Sequence, residues 1–250
     1  MRIFVLGAND PEMREIVNVL KQAGETFVYA RFRGAVVRAN QAYIADGTSD
    51  PIPKGTQVVT VECAVRGITP VQAIDHHNPG DAGFACGPEQ YLEGSSLGQL
   101  LSCLGLEPTP LQRVICAADH CPDAAYQGRC PGVSPDDMYH WRAESKSATW
   151  GISVEEFHRR VEAAHQRLRE AERIEVAGTM VAWLPDAADE TPEASARYHI
   201  PFIYTKQERD GRTKVGILGA PPEAIALWLR DSGLQDTYGN PFRGYAGGYR

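Results

Sequence analysis

Arg2-Ile3-Phe4-Val5-Leu6-Gly7-Ala8-Asn9-Asp10-Pro11-Glu12-Met13 opens the chain, and its reading decides the fold. Five residues, four of them apolar, end at a glycine, and Met13, Ile16, Val17 and Leu20 then recur at helical spacing, which predicts a strand, a tight turn and a helix. Working outward, Phe27–Tyr29 reads as β and is followed across Gly34 by a second β-rich run, Ala35–Tyr43. Val58-Val59-Thr60-Val61 is a strand closed by Glu62, and Val71–Ile74 is one closed by Asp75. Helical patterns return at Leu97–Leu104 and Pro110–Ala118. Alternating strands and helices predict an α/β fold, a mostly parallel sheet flanked by helices.

Beyond Pro122 the pattern turns irregular, with one short helix expected after Ser134 and a domain boundary there. The expected division is 1–135 and 136–250, the second a smaller C-terminal α+β domain. Within it, Ser153-Val154-Glu155-Glu156 has the form of a capping box before the stripe Phe157, Val161, Ala164, Leu168 and Ala171. Ile174–Leu184 reads as one strand, and Ile200–Tyr204 and Val215–Leu218 as two more joined through a turn at Asp210-Gly211. A last helix runs from Pro221-Pro222 toward Gly233 with Trp228 and Leu229 buried, and the tail from Tyr238 to Arg250 reads as loop.

Composition narrows the function classes. No apolar run among the 250 residues approaches the roughly 18 needed for a transmembrane helix. The opening apolar run is too short for a signal-peptide core, so no membrane and a cytoplasmic location are expected. Most of the six cysteines read as reduced and partly buried. Cys121 and Cys130 beside His120 match structural-zinc spacing poorly. A net charge of −7 opposes long-range attraction to a polyphosphate, which favours a small phosphorylated or nucleotide substrate, with a short single-stranded nucleic acid still compatible.

The polar residues at the ends of the apolar strands carry the chemistry. Asp75-His76-His77 follows one strand, Asp10 and Glu12 follow another, Glu62 closes a third and Asp119 ends the run Val114–Ala118. In open α/β sheets such ends form the ligand site. Carboxylates and imidazoles together suit manganese, iron, cobalt or zinc. Each residue also has a plain alternative: Asp10 as a helix N-cap before Pro11, Glu62 as a surface charge, Asp119 as a helix-end residue, and the histidines as a hydrated loop. Arg31, Arg33 and Arg38 are either a phosphate-binding set or solvated strand residues.

The order and spacing of these motifs resemble the DHH phosphoesterase superfamily over about residues 1–130. Asp75-His76-His77 resembles the name-giving motif. Ala8-Asn9-Asp10-Pro11-Glu12 is similar to its His-Asn-Asp-x-Asp segment with the histidine lost, Val59–Glu62 resembles the strand that ends in aspartate, and Gly94-Ser95-Ser96-Leu97-Gly98 resembles the small-residue helix start. The resemblance implies metal ligands Asp10, Glu12, Glu62, His76 and Asp119, usually for manganese, with one or two ions. It implies His77 facing the phosphate and Asp75 orienting an imidazole as the catalytic pair, with His77 or His120 as the base. A glycine-rich second-domain segment holds substrate in such proteins, which points here to Arg243, Gly247 and Gly248. The implied activity is hydrolysis of a phosphodiester or phosphoanhydride in a small phosphorylated compound, dinucleotide or short oligonucleotide. The departures at Ala8, Glu12 and Glu62, where the family has His, Asp and Asp, give the alternative of a catalytically degenerate binder of a nucleotide or partner. A structural protein with coincidental acids and histidines is the third reading.

Overall fold

The computed structural model describes residues 1–208 and 211–250, and Asp210 of the expected turn lies outside the described residues. The chain forms two compact units, Met1–His120 with Cys130–Val133, and Cys121–Arg129 with Ser134–Arg250. It therefore passes into the second unit, returns and passes again. The second unit is as large as the first, which corrects the expectation of a smaller C-terminal domain beginning at 136. Among the described residues no helix is long and apolar enough to cross a membrane.

The first unit is α/β. Its strands are β1 (Arg2–Leu6), β2 (Phe27–Phe32), β3 (Ala35–Val36), β4 (Gly47–Thr48), β5 (Gln57–Val61) and β6 (Gln72–Ile74). The path β3-β2-β1-β5-β6 is parallel across β2, β1, β5 and β6, while β3 and β4 pair antiparallel with β2. The pleat sends Ile3, Val5, Val28, Ala30 and Val58 to one face, packed with Val37, Ala42 and Ala45. It sends the fully buried Phe4 and Leu6 to the other. Helices α1 (Pro11–Gln22), α2 (Tyr91–Gly94), α3 (Ser96–Leu104) and α4 (Pro110–His120) pack on one another and bury Met13, Ile16, Leu97, Leu100 and Ile115.

The run Ala35–Tyr43 is not β throughout. Arg33 and Gly34 both take positive φ and reverse the chain, β3 stops after Val36, and Ala39–Ile44 coils into a 3-10 helix that buries Ala42. Strand order reverses between β1 and β5, and in open α/β sheets ligands bind beyond the carboxyl ends of the strands at such a reversal. The strands approach closely there: a Cβ on Gly7 would overlap the Glu62 carbonyl oxygen, so glycine is required.

The second unit contains α5 (Pro122–Tyr126), α6 (Pro135–Trp150), α7 (Val154–Glu170), α8 (Thr191–Tyr198) and α9 (Pro222–Asp231). Its sheet consists of β7 (Arg173–Val176), β8 (Thr179–Leu184), β9 (Phe202–Gln207), β10 (Thr213–Leu218), β11 (Gln235–Asn240) and β12 (Tyr245–Tyr249), in the order β11-β12-β10-β9-β8-β7. Among the described residues of this unit, β8 and β9 pair parallel and the other neighbouring strands antiparallel. Segment 122–150 is more helical than expected. Ser134 caps α6 by accepting from Asp137 N–H, and Gly151 at φ 67 ends it. Ile174–Leu184 is a hairpin, because Ala177 and Gly178 at φ 49 and 77 form a turn with two left-handed residues. The tail is a strand, β12, lying between β10 and β11, which corrects the loop reading. In α9 it is Ala224 and Ile225 that are buried, with Trp228 and Leu229 partly buried against the same core. Glu193 of α8, 4% exposed, accepts from Tyr126 of α5 and from Arg142 Nε of α6 at 2.6 Å.

Candidate metal centre

Four residues from four separate segments converge where β1, β5 and β6 end. Glu12, Glu62, His76 and Asp119 each offer a ligand atom, all within 4.8 Å of one another, and Glu62 and His76 form a second such group with His77. Each arrives by local logic. Glu12 lies in the first turn of α1, where Asp10 caps the helix by accepting from Met13 N–H at 2.7 Å. Glu62 follows β5 in a left-handed conformation, φ 51, and its N–H reaches the Ile74 carbonyl at 3.0 Å. Asp119 sits in the last turn of α4.

Burial makes the group electrostatically expensive without a cation. Glu12 is 1% and Glu62 6% exposed. Burial first, then the Asp119 charge, pushes Glu62 up to about 8 and Glu12 well above the carboxylate range. The same two causes in the same order bring Asp10 to about 6. Glu12 Oε1 accepts from Leu97 N–H at 2.9 Å in the first turn of α3, while its Oε2 is buried with no hydrogen-bond partner among the described residues. His76, fully buried, turns Nε2 toward Asp119 Oδ2 at 3.1 Å and Glu62 Oε1 at 3.6 Å. Its Nδ1 lies 2.8 Å from the Gly94 carbonyl. An imidazole nitrogen among three carboxylates, with a carboxylate oxygen unpartnered beside them, is a donor set that fits one divalent cation.

Asp75 is set apart from this group. Its carboxylate accepts from His76 N–H at 2.7 Å, His77 N–H at 3.0 Å and the Tyr43 hydroxyl at 2.9 Å, and pairs with His77 Nδ1 at 3.0 Å. Burial alone would raise its pKa, but the bonds from the His77 side chain and backbone and from Tyr43 outweigh it and hold the group below its usual value. Gln99 of α3 brackets the same backbone, its Oε1 accepting from Asp75 N–H and its Nε2 donating to the Asp75 carbonyl. With Nδ1 on Asp75, the half-exposed His77 ring presents Nε2 as its other nitrogen.

The expected residues therefore divide. Glu12, Glu62, His76 and Asp119 come together, His77 joins them through Glu62 and His76, and Asp75 orients His77. Asp10 is close enough to feel Asp119 but belongs to neither ligand group, one of its oxygens serving as the helix cap. His120 is fully buried and packs behind His76, which removes it as a base open to water. Of the three arginines, Arg31 donates to the Gly34 carbonyl and Arg33 stacks on Phe32. Gly247 and Gly248 lie within β12, where added Cβ atoms would strike Tyr238 and Leu234, and Arg243 lies in the 3-10 turn before the strand. Sequence reasoning missed Tyr43 and Gln99, which lie far from Asp75 along the chain in segments that gave no chemical signal. No protein-family model and no curated protein matches the sequence.

Proposed function

We propose that the chain is a metal-dependent phosphoesterase, a divergent member of the DHH superfamily, hydrolysing a phosphodiester or phosphoanhydride in a small phosphorylated compound, dinucleotide or short oligonucleotide. One observation carries the reading: three carboxylates and one imidazole nitrogen gathered within 4.8 Å, with the buried Oε2 of Glu12 unpartnered. The ligands would be Glu12, Glu62, His76 and Asp119, and the ion manganese by the resemblance. One ion fits better than two, because both ligand groups draw on His76, whose Nδ1 is turned to Gly94.

A divalent ion held there supplies Lewis acidity, lowering the pKa of water and screening charge on phosphoryl oxygens. The chain supplies the rest. Asp75, anchored by Tyr43 and Gln99, holds the His77 ring by Nδ1, and Nε2 is the nitrogen that would bind a phosphoryl oxygen or pass a proton to the leaving oxygen. The lowered pKa of Asp75 keeps it anionic, an acceptor for the His77 ring.

The test is a screen of manganese-loaded protein against pyrophosphate, linear and cyclic dinucleotides, and short DNA and RNA strands. Manganese-dependent turnover that is lost in His77→Asn and Asp119→Asn supports the reading. Manganese binding without turnover of any of these substrates would replace it with the degenerate binder, which the missing ligand at Ala8 and the capping role of Asp10 favour.

A further inference from the structure

Two consecutive residues at the end of α4 address the two nitrogens of one imidazole. Asp119 Oδ2 lies 3.1 Å from His76 Nε2, and His120 Nδ1 lies 3.2 Å from His76 Nδ1. The His76 and His120 rings stack at 5.5 Å with an interplanar angle of 26°. His120 Nε2 in turn lies 3.0 Å from the Cys86 carbonyl. Both rings are fully buried. The space for His120 exists because residue 94 is glycine: a Cβ there would overlap the His120 ring.

The carbonyls settle where the protons belong. A carbonyl oxygen only accepts, so His120 carries its hydrogen on Nε2 toward Cys86, and neutral His120 then offers a lone pair at Nδ1. His76 Nδ1, facing both the Gly94 carbonyl and that lone pair, carries the second hydrogen. In this arrangement Nε2 is the nitrogen of neutral His76 left with a lone pair, and it faces Asp119 and Glu62. Rotating the His76 ring would set a C–H against two acceptors at once.

We infer that His120 is a positioning residue, which accepts a hydrogen bond at Nδ1 of His76 and thereby fixes the ring, its tautomer and its basicity for a cation held at Nε2. The inference rests on the metal reading of the site but concerns a residue outside the ligand set. Groups that bond the far nitrogen of a ligating histidine typically change metal affinity by about 10–100-fold when removed.

The experiment measures manganese dissociation constants of the parent chain and of His120→Leu, His120→Phe and His120→Asn, with the metal-free melting temperature of each. Leucine and phenylalanine fill the space without accepting a hydrogen bond; the asparagine carboxamide oxygen comes near the position of Nδ1. Affinity should fall about 10-fold or more in whichever of the two apolar variants folds, and stay within about threefold of the parent in the asparagine variant. A purely structural residue would lower the metal-free melting temperature and leave the affinity of the folded protein unchanged. Unchanged affinity in an apolar variant, or an asparagine variant as weak as the apolar ones, overturns the inference while leaving the metal site standing. Absence of manganese binding by the parent overturns the site itself and the inference with it.

Discussion

Replacing Glu62 with glutamine should make the metal-free protein more stable at pH 8.5, and manganese should reverse the order of the two proteins. Glu62 is buried beside Asp119, and its pKa rises from 4.5 to about 8. A carboxyl raised in this way holds its proton more tightly in the folded state. Its stabilisation is complete below about pH 4.5 and is lost as the pH climbs through 8. At about 1.4 kcal/mol per unit, the full shift is worth roughly 5 kcal/mol. Glutamine has the same shape and no charge, but its amide must also be desolvated, so the recoverable part is on the order of 2 kcal/mol. For a unit of this size that corresponds to a melting temperature higher by roughly 5–10 °C at pH 8.5, shrinking to nothing near pH 4.5. Thermal scans from pH 4.5 to 8.5 with a chelator present, repeated with manganese, read both effects. The parent should gain stability with manganese as RT ln(1 + [L]/Kd), and the variant should gain little. A glutamine variant that is less stable than the parent at every pH, or that gains as much from manganese, would refute the reasoning.

Gly7→Ala should destabilise by roughly 1–3 kcal/mol and weaken manganese binding, since its Cβ meets the Glu62 carbonyl; denaturant melts and a metal titration check both. Deleting residues 243–250 removes the strand between β10 and β11, so the second unit should lose its cooperative melt, and a truncated protein with a native circular dichroism spectrum and melting curve would contradict this. Glu193→Ala leaves Arg142 and Tyr126 without their shared acceptor in a buried place and should cost roughly 3–5 kcal/mol by urea denaturation. Tyr43→Phe should leave manganese affinity near that of the parent while slowing any turnover, because it loosens Asp75 and His77 rather than the ligands.

The elements legible in the sequence were those with an apolar period of their own. β1 and β5 bury the apolar runs that marked them, α1 buries Met13, Ile16 and Leu20, and α7 buries Phe157, Val161, Ala164 and Leu168, whereas β6 buries Ile74 and leaves Val71 exposed; the acids and histidines stand where those patterns stop. α6 was expected only as a short helix after Ser134, because its buried residues, Met138, Tyr139, Ala143 and Ser147, include one small and one polar side chain, which leaves no stripe to mark its full length. β12 escaped because two of its five positions are glycine, paired through backbone and covered by Tyr238 and Leu234 from elsewhere. At the site, strand ends pointed to the ligands, but the supports did not show. Tyr43 reaches Asp75 from a 3-10 turn that read as strand, and the contact of His120 with His76 needs the missing side chain of Gly94. Asp10 was legible both ways, and the helix cap it makes is the plainer of its two readings.

The excursion of residues 121–129 into the second unit, with the return at 130–133, has a consequence for heredity and for synthesis on the ribosome. Neither unit is a contiguous stretch of the gene, so neither can be lifted out, duplicated or exchanged by a single crossover without carrying a fragment of the other. A fragment ending at 135 would leave Ala124, Ala125 and Tyr126 of α5 without the α6 and α8 surfaces that bury them. During translation those side chains wait for α8, some seventy residues downstream, before Tyr126 meets Glu193. Until α8 has been made, the buried side chains of α5 therefore lack part of the surface that covers them in the folded unit.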